Sequence, residues 1–137
     1  MPVLKACPII VRPSSARFDI LAFRHPLAGK QLVKGTIEHG EHVIAAALRE
    51  LEEESGIVAY FADGPVWESH VISPGQIWHF VTLEAEALPD HFTHWATDDG
   101  GHLFSFFWQP LTEKPDADWH PIFLRALNEI AERFGAG

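Results

Sequence analysis

The stretch from Gly35 to Ile57 constrains the fold of this chain more than any other. It sets one acidic helix between turn glycines, in a sequence whose other segments are mostly extended. The helix is predicted over Glu41–Ser55. It stops where Gly56 takes the position after the last turn, which glycine favours. Gly35 and Gly40 precede it and allow backbone geometries that a side chain would resist.

A helix advances about 100° per residue, which sorts the side chains of this segment. Glu50, Glu53 and Glu54 fall within about 100° of one another, while Ile44, Leu48 and Leu51 gather on another side and point toward a core. Glu52 faces away from the acidic cluster and reads as a solvated surface residue. Like-charged neighbours on a helix cost a few tenths of a kcal/mol per pair. Mg2+ answers such repulsion, because it takes oxygen ligands and combines a few carboxylates with phosphate and water. Six of the nineteen acids lie between Glu38 and Glu54, which again asks for a cation. Arg49 either pairs with Glu41, two turns earlier, or stands as a solvated arginine.

Around this helix the chain reads as α+β. Strands are expected at Val3–Val11 and Arg17–Phe23, joined at Pro13-Ser14-Ser15, with a loop over Arg24–Lys30 and a short extended piece over Gln31–Lys34. Ile57–Phe61 and Val66–Ile72 read as strands. Ser73-Pro74-Gly75-Gln76 is a turn that closes a hairpin with Ile77–Ala85. Leu88–Gly101 is polar and loop-like, Leu103–Leu111 is an aromatic strand, and Asp118–Phe134 is a second amphipathic helix. The pattern suggests a sandwich with a mixed β-sheet. At 137 residues, one domain spanning 1–137 is expected.

Charge and composition narrow the function. A net charge of −9 makes non-specific binding to nucleic acid or anionic membrane a poor fit. No apolar run approaches the roughly 20 residues of a membrane span. The apolar N-terminal stretch reads as a first strand, since it lacks a strong basic region and an obvious cleavage site. Cys7 is the only cysteine, so no internal disulfide forms and a cytoplasmic location is expected.

The segment resembles the Nudix box, Gly-x5-Glu-x7-Arg-Glu-U-x-Glu-Glu-x-Gly-U with U a bulky aliphatic residue. Gly35, Glu41, Arg49, Glu50, Leu51, Glu53, Glu54, Gly56 and Ile57 fill every defining position. The resemblance implies an α/β/α sandwich and a Mg2+-dependent hydrolase, with Mn2+ as an alternative, that cleaves the diphosphate linkage of a nucleoside diphosphate derivative by water attack on phosphorus. It implies Glu50 and Glu54 as main metal ligands, Glu53 as a further ligand or the catalytic base, and the backbone carbonyl of Lys34 as completing the metal site. Some members take the base from a later loop, and Asp98 and Asp99 are the nearest equivalents here. Many members dimerise, so a homodimer is allowed, though nothing in the chain identifies an interface. The rival reading is a non-catalytic Nudix domain that binds a nucleotide ligand as a sensor or partner module.

Substrate signals are thinner. Ser73-Pro74-Gly75 resembles a turn of ADP-ribose pyrophosphatases, but Gln76 and its neighbours replace the glutamate that follows there. Lys34-Gly35-Thr36 resembles dinucleoside-polyphosphate hydrolases, with Val33 in place of their proline and Tyr60 as the only tyrosine. Trp78 is a candidate for stacking on a base, against the commoner core role of strand aromatics. Arg24 and the Lys34 ammonium are candidates for meeting phosphate or ribose. His39/His42 and His91/His94 have short spacings, but no third zinc ligand is evident.

Overall fold

The computed structural model describes residues 1–15, 17–97 and 100–135. The chain forms β1 (Val3–Ile9), β2 (Val11–Ser14), β3 (Arg17–His25), β4 (Gly29–Gln31), β5 (Gly35–Thr36), α1 (Val43–Ser55), β6 (Val66–Ser69), β7 (Gln76–Thr82), β8 (Phe92–Ala96), β9 (His102–Pro110) and α2 (Ile122–Arg133). One sheet is mixed, in the order β5-β1-β7-β6, with β1 and β7 parallel. The second, β2-β3-β9-β8 with β4 added on β3, is antiparallel.

Strand alternation decides where the helices sit. Asp19 to Phe23 are buried without a break, because both faces of β3 are covered. Ile20 and Ala22 join Cys7, Ile9, Trp78 and Phe80 in a cluster with Phe123, Leu127 and Ile130 of α2. Leu21 and Phe23 join Ala6, Val81 and Phe106 in a second cluster with Ala46, Ala47 and Leu51 of α1. Neighbouring residues of one strand thus go to opposite clusters, and α1 and α2 cover opposite faces. The mixed sheet and the two helix layers match the α+β class expected. No helix among the described residues is long and apolar enough to cross a membrane.

Several elements differ from their sequence reading. The first strand is two: it breaks at Ile10, and the chain passes from the mixed sheet into the antiparallel one. Pro13 lies inside β2 rather than at a joint, which an edge strand tolerates because no inner ladder bond is lost. β3 extends through Arg24 and His25 and turns directly into β4, so the expected loop is a tight hairpin. Phe92–Ala96 is a strand, although its surroundings are polar; the pairing of Trp95 with Leu103 and Phe92 with Phe106 supplies what local composition does not. Ile57–Phe61 keeps only one bridge, Tyr60 to Glu84. α2 begins at Ile122, because residues 118–120 pair with Lys30 instead of coiling.

Candidate functional site

α1 ends at Ser55 as its sequence suggests, but it begins at Val43, two residues after the expected Glu41. His42 stands outside the helix, and its Nδ1 accepts from the Ile44 N–H at 3.1 Å, which starts the helix at Val43. Gly56 ends it at φ 77°, donating its N–H to the Glu52 carbonyl at 2.8 Å. A side chain at Gly56 would also strike the ring of His94, its Cβ falling 2.9 Å from Nδ1.

The helix buries Ala46, Ala47, Glu50, Leu51, Glu54 and Ser55. On a wheel these residues span one arc with Glu50 and Glu54 in the middle of it. Two carboxylates therefore occupy the inward face, 7% and 9% exposed, while Ile44 and Leu48 are only half-buried. The small side chains of Ala46 and Ala47 leave them room. Glu53 does not share this environment: its side chain is 47% exposed. Among the described residues, no three Asp, Glu, His or Cys side chains converge closely enough to hold a cation by themselves. Of the three carboxylates expected together, Glu50 and Glu54 are buried, while Glu53 is exposed and meets Glu50 through Arg49 Nη1.

Arg49 ties these acids to the preceding loop. Its Nε donates to Glu41 Oε2 at 2.8 Å and its Nη2 to Glu41 Oε1 at 2.9 Å, a two-pronged contact. Nη1 donates to Glu50 Oε1 at 2.8 Å and, more loosely, to Glu53 Oε2 at 3.3 Å. Nη2 also reaches the Thr36 carbonyl at 3.1 Å. Glu41 accepts the Glu38 N–H at 3.0 Å as well, so one salt-bridged pair fixes the loop before the helix. Hydrogen bonds from Arg49, then the Glu38 N–H, hold the Glu41 carboxyl down at about 2. Glu50 moves the other way. Burial pushes its carboxyl above the ordinary value, against the hydrogen bond and charge of Arg49, which pull it down.

Gly35 explains where the Glu50 carboxylate rests. A Cβ built on Gly35 would fall 1.9 Å from Glu50 Cδ and 2.1 Å from Oε2. The glycine is there for space, and its φ is not in the left-handed region. This corrects the expectation of unusual backbone geometry at that position.

The donor chemistry fits a divalent cation. Two buried carboxylates on successive turns, Glu50 bonded by Arg49 and lying beside Glu54, supply oxygen ligands of the kind a divalent cation takes. Mg2+ is commonly held by one or two carboxylates plus substrate phosphate, a donor set that these residues match.

Other expected residues lie elsewhere. Trp78 is fully buried and its Nε1 donates to Gln76 Oε1 at 2.8 Å. Its ring packs edge-on to Phe123, with centroids 5.8 Å apart, so no face is open to a base. The stacking role expected of it is not met. Arg24 is exposed on β3 and its Nη1 pairs with Asp118 at 2.9 Å. Lys34, half-buried, directly precedes Gly35. Asp98 and Asp99 lie outside the described residues.

Sequence reasoning missed two neighbours of the site. His94 Nε2 lies 3.2 Å from the Glu53 carbonyl oxygen, at the end of α1. Lys5 pairs in register with Thr36, one residue from Gly35. Only the sheet brings either of them near α1.

Residues 4–127 match the NUDIX domain family. No curated protein matches the chain in sequence. Among solved structures, the chain is similar to a MutT NUDIX hydrolase from Burkholderia pseudomallei, with 24% identity, a TM-score of 0.57, and 94% of this chain and 97% of that one covered. It is similar to a binary complex of a C. elegans Ap4A hydrolase, with 15% identity, a TM-score of 0.66, and 97% and 99% covered. It is also similar to the NUDIX domain of Shewanella oneidensis NrtR complexed with ADP ribose, with 15% identity, a TM-score of 0.57, and 97% and 88% covered. At these identities the structural likenesses speak to fold.

Proposed function

The chain belongs to the Nudix hydrolase family, and on that premise we propose that it hydrolyses the diphosphate linkage of a nucleoside diphosphate derivative, with Mg2+ as its cofactor. The observation that carries this reading is the Glu50 carboxylate, buried on Gly35 and held by Arg49 with Glu54 beside it. A stability-driven helix has no reason to turn two acids inward, since a buried charge is costly unless matched.

In this reading Glu50, Glu54 and the Lys34 carbonyl hold the cation. A divalent ion bound there neutralises charge on the diphosphate and makes a bound water more acidic. The rest is the work of side chains. Arg49 orients Glu50 through its 2.8 Å bond, and its grip on Glu41 keeps the Glu38–Glu41 loop in place. Glu53, the solvent-open acid of the three, takes the proton of the attacking water. Asp98 and Asp99 are its rivals for that role. Arg24 and the Lys34 ammonium are candidate contacts to substrate.

A nucleotide-binding domain without turnover is the second reading. The likeness to the NrtR domain complexed with ADP ribose supports ligand binding and leaves hydrolysis unaddressed. The deciding experiment is product release from a panel of nucleoside triphosphates, ADP-ribose, dinucleoside polyphosphates, nucleotide sugars and capped RNA, with Mg2+, Mn2+ or EDTA. Turnover that EDTA abolishes supports the hydrolase. Binding with no turnover under any metal supports the second reading. Loss of rate in Glu53→Gln but not in Asp98→Asn or Asp99→Asn assigns the base to Glu53, and the opposite pattern assigns it to the loop.

A further inference from the structure

β8 carries one polar side chain to the C-terminal end of α1. Along this strand Phe92 and Ala96 pack into the cluster that holds Ala46, Ala47 and Leu51, while Thr93 and Trp95 are exposed. His94 alternates onto the same helix-facing side and pairs in register with Phe104, a buried member of that cluster. Its Nε2 lies 3.2 Å from the Glu53 carbonyl oxygen. A carbonyl only accepts, so Nε2 carries the proton and donates. The ring also rests against Gly56, where a Cβ would fall 2.9 Å from Nδ1 and 3.1 Å from Cε1.

That hydrogen bond meets a need of the helix. The last four carbonyls of an α-helix have no donor within it. In α1 the Gly56 N–H serves the Glu52 carbonyl at 2.8 Å. The Ile57 N–H, next in the ladder, turns instead to Ser55 Oγ at 3.1 Å, and that hydroxyl donates to the Leu51 carbonyl. His94 is thus the donor that the Glu53 carbonyl receives in place of its helical one. The Glu53 side chain has little else to fix it. It is 47% exposed, and Arg49 Nη1 reaches its carboxylate oxygens only at 3.3 and 3.4 Å. Its place relative to Glu50 and Glu54 therefore depends on the backbone that His94 holds, at a helix end where fraying is the default.

We propose that His94 is a positioning residue for Glu53: it bonds the Glu53 backbone and thereby sets the carboxylate toward the attacking water. The assignment rests on the hydrolase reading, with Glu53 as the base. The competing role is structural, in which His94 only closes the end of α1 and pins it to β8.

The test is hydrolysis, in Mg2+, of each panel nucleotide that the wild type cleaves, by His94→Phe and His94→Gln, each with and without Glu53→Gln. Phenylalanine keeps a ring and loses the donor, whereas glutamine loses the ring and keeps an N–H donor near the Nε2 position. His94→Phe is expected to lower kcat roughly 10- to 100-fold with KM within about twofold, because a displaced base is felt in the chemical step. His94→Gln should recover most of that loss. In the Glu53→Gln background His94→Phe should cost nothing more, since residues that act as a unit are not additive. Single-turnover assays extend the measurable range, and where Glu53→Gln leaves no rate, the contrast between phenylalanine and glutamine decides. Thermal melts confirm that each variant is folded, and His94→Leu stands in if His94→Phe is not. A folded His94→Phe with full kcat, or one whose loss is undiminished in the Glu53→Gln background, overturns the proposal and leaves the hydrolase reading standing. A wild type that cleaves no panel nucleotide sinks both.

Discussion

α2 presses Phe123, Leu127 and Ile130 against Trp78 and Phe80, whereas α1 turns Glu50 and Glu54 inward between Ala46, Ala47 and Leu51. The two helices flank the same strands and are of similar length, so the difference lies in what each face buries. Phe123, Leu127 and Ile130, which α2 removes from water, each contribute about 1.5–3 kcal/mol. The carboxylates of α1 cost free energy to desolvate, which the Arg49 bond to Glu50 offsets in part. One helix anchors the sandwich, and the other spends part of its buried face on acceptors. A glycine on the facing strand completes that arrangement, because no other residue leaves space for the Glu50 carboxylate.

Four experiments break or sharpen this contrast. The largest effect is expected on the apolar side: Phe123→Ala should cost about 3–5 kcal/mol of stability, read from urea unfolding, while activity per folded molecule stays unchanged. A matching loss of specific activity would mean that α2 takes part in the site. On the acidic side, Glu54→Gln should lower kcat by roughly 100- to 1000-fold while stability holds or rises, since a buried charge is removed. A destabilised variant with full activity would reverse the roles of the two helices.

Gly35→Ala sits between these extremes. Its methyl group would lie 1.9 Å from Glu50 Cδ, so the carboxylate must leave its seat. Overpacking of about 1–3 kcal/mol is expected together with lost activity. Restored activity in a crystal structure that shows Glu50 unmoved would contradict the seat.

The smallest effect is electrostatic. Glu41 is depressed from 4.5 to about 2 in the folded state, so its contribution is complete above 4.5 and fades as pH falls toward 2. The stability difference between wild type and Glu41→Gln should shrink over that window, measured by thermal melts at stepped pH. Glu50, raised by burial, contributes with the opposite sign, its share being lost as pH rises through its elevated value.

Much of the fold was legible locally. The hairpin through Ser73–Gln76 forms, closed by the Gln76 N–H to the Ser73 carbonyl at 3.2 Å. The spacing of Phe123, Leu127 and Ile130 marked α2 as amphipathic, and all three are buried. β8 was hidden because an edge strand with one half-covered face carries little apolar signal of its own. Ile57–Phe61 has the opposite fault: strand-like residues find only a single-bridge partner at Glu84. In the candidate site, the spacing of Glu41 and Arg49 allowed the contact that the structure shows at 2.8 Å.

The sequence by itself determined where α1 ends, which acids share a turn, and the box that marks the family. Those properties are local, set by caps, glycines and the helical repeat. Only the tertiary structure decided that Glu50 and Glu54 are buried while Glu53 is open, since a wheel gives angles between residues and not the direction of the core. It also closed Trp78 inside α2's cluster and set Lys5 against Thr36. Strand register makes those contacts, and register is settled by packing across the whole sheet.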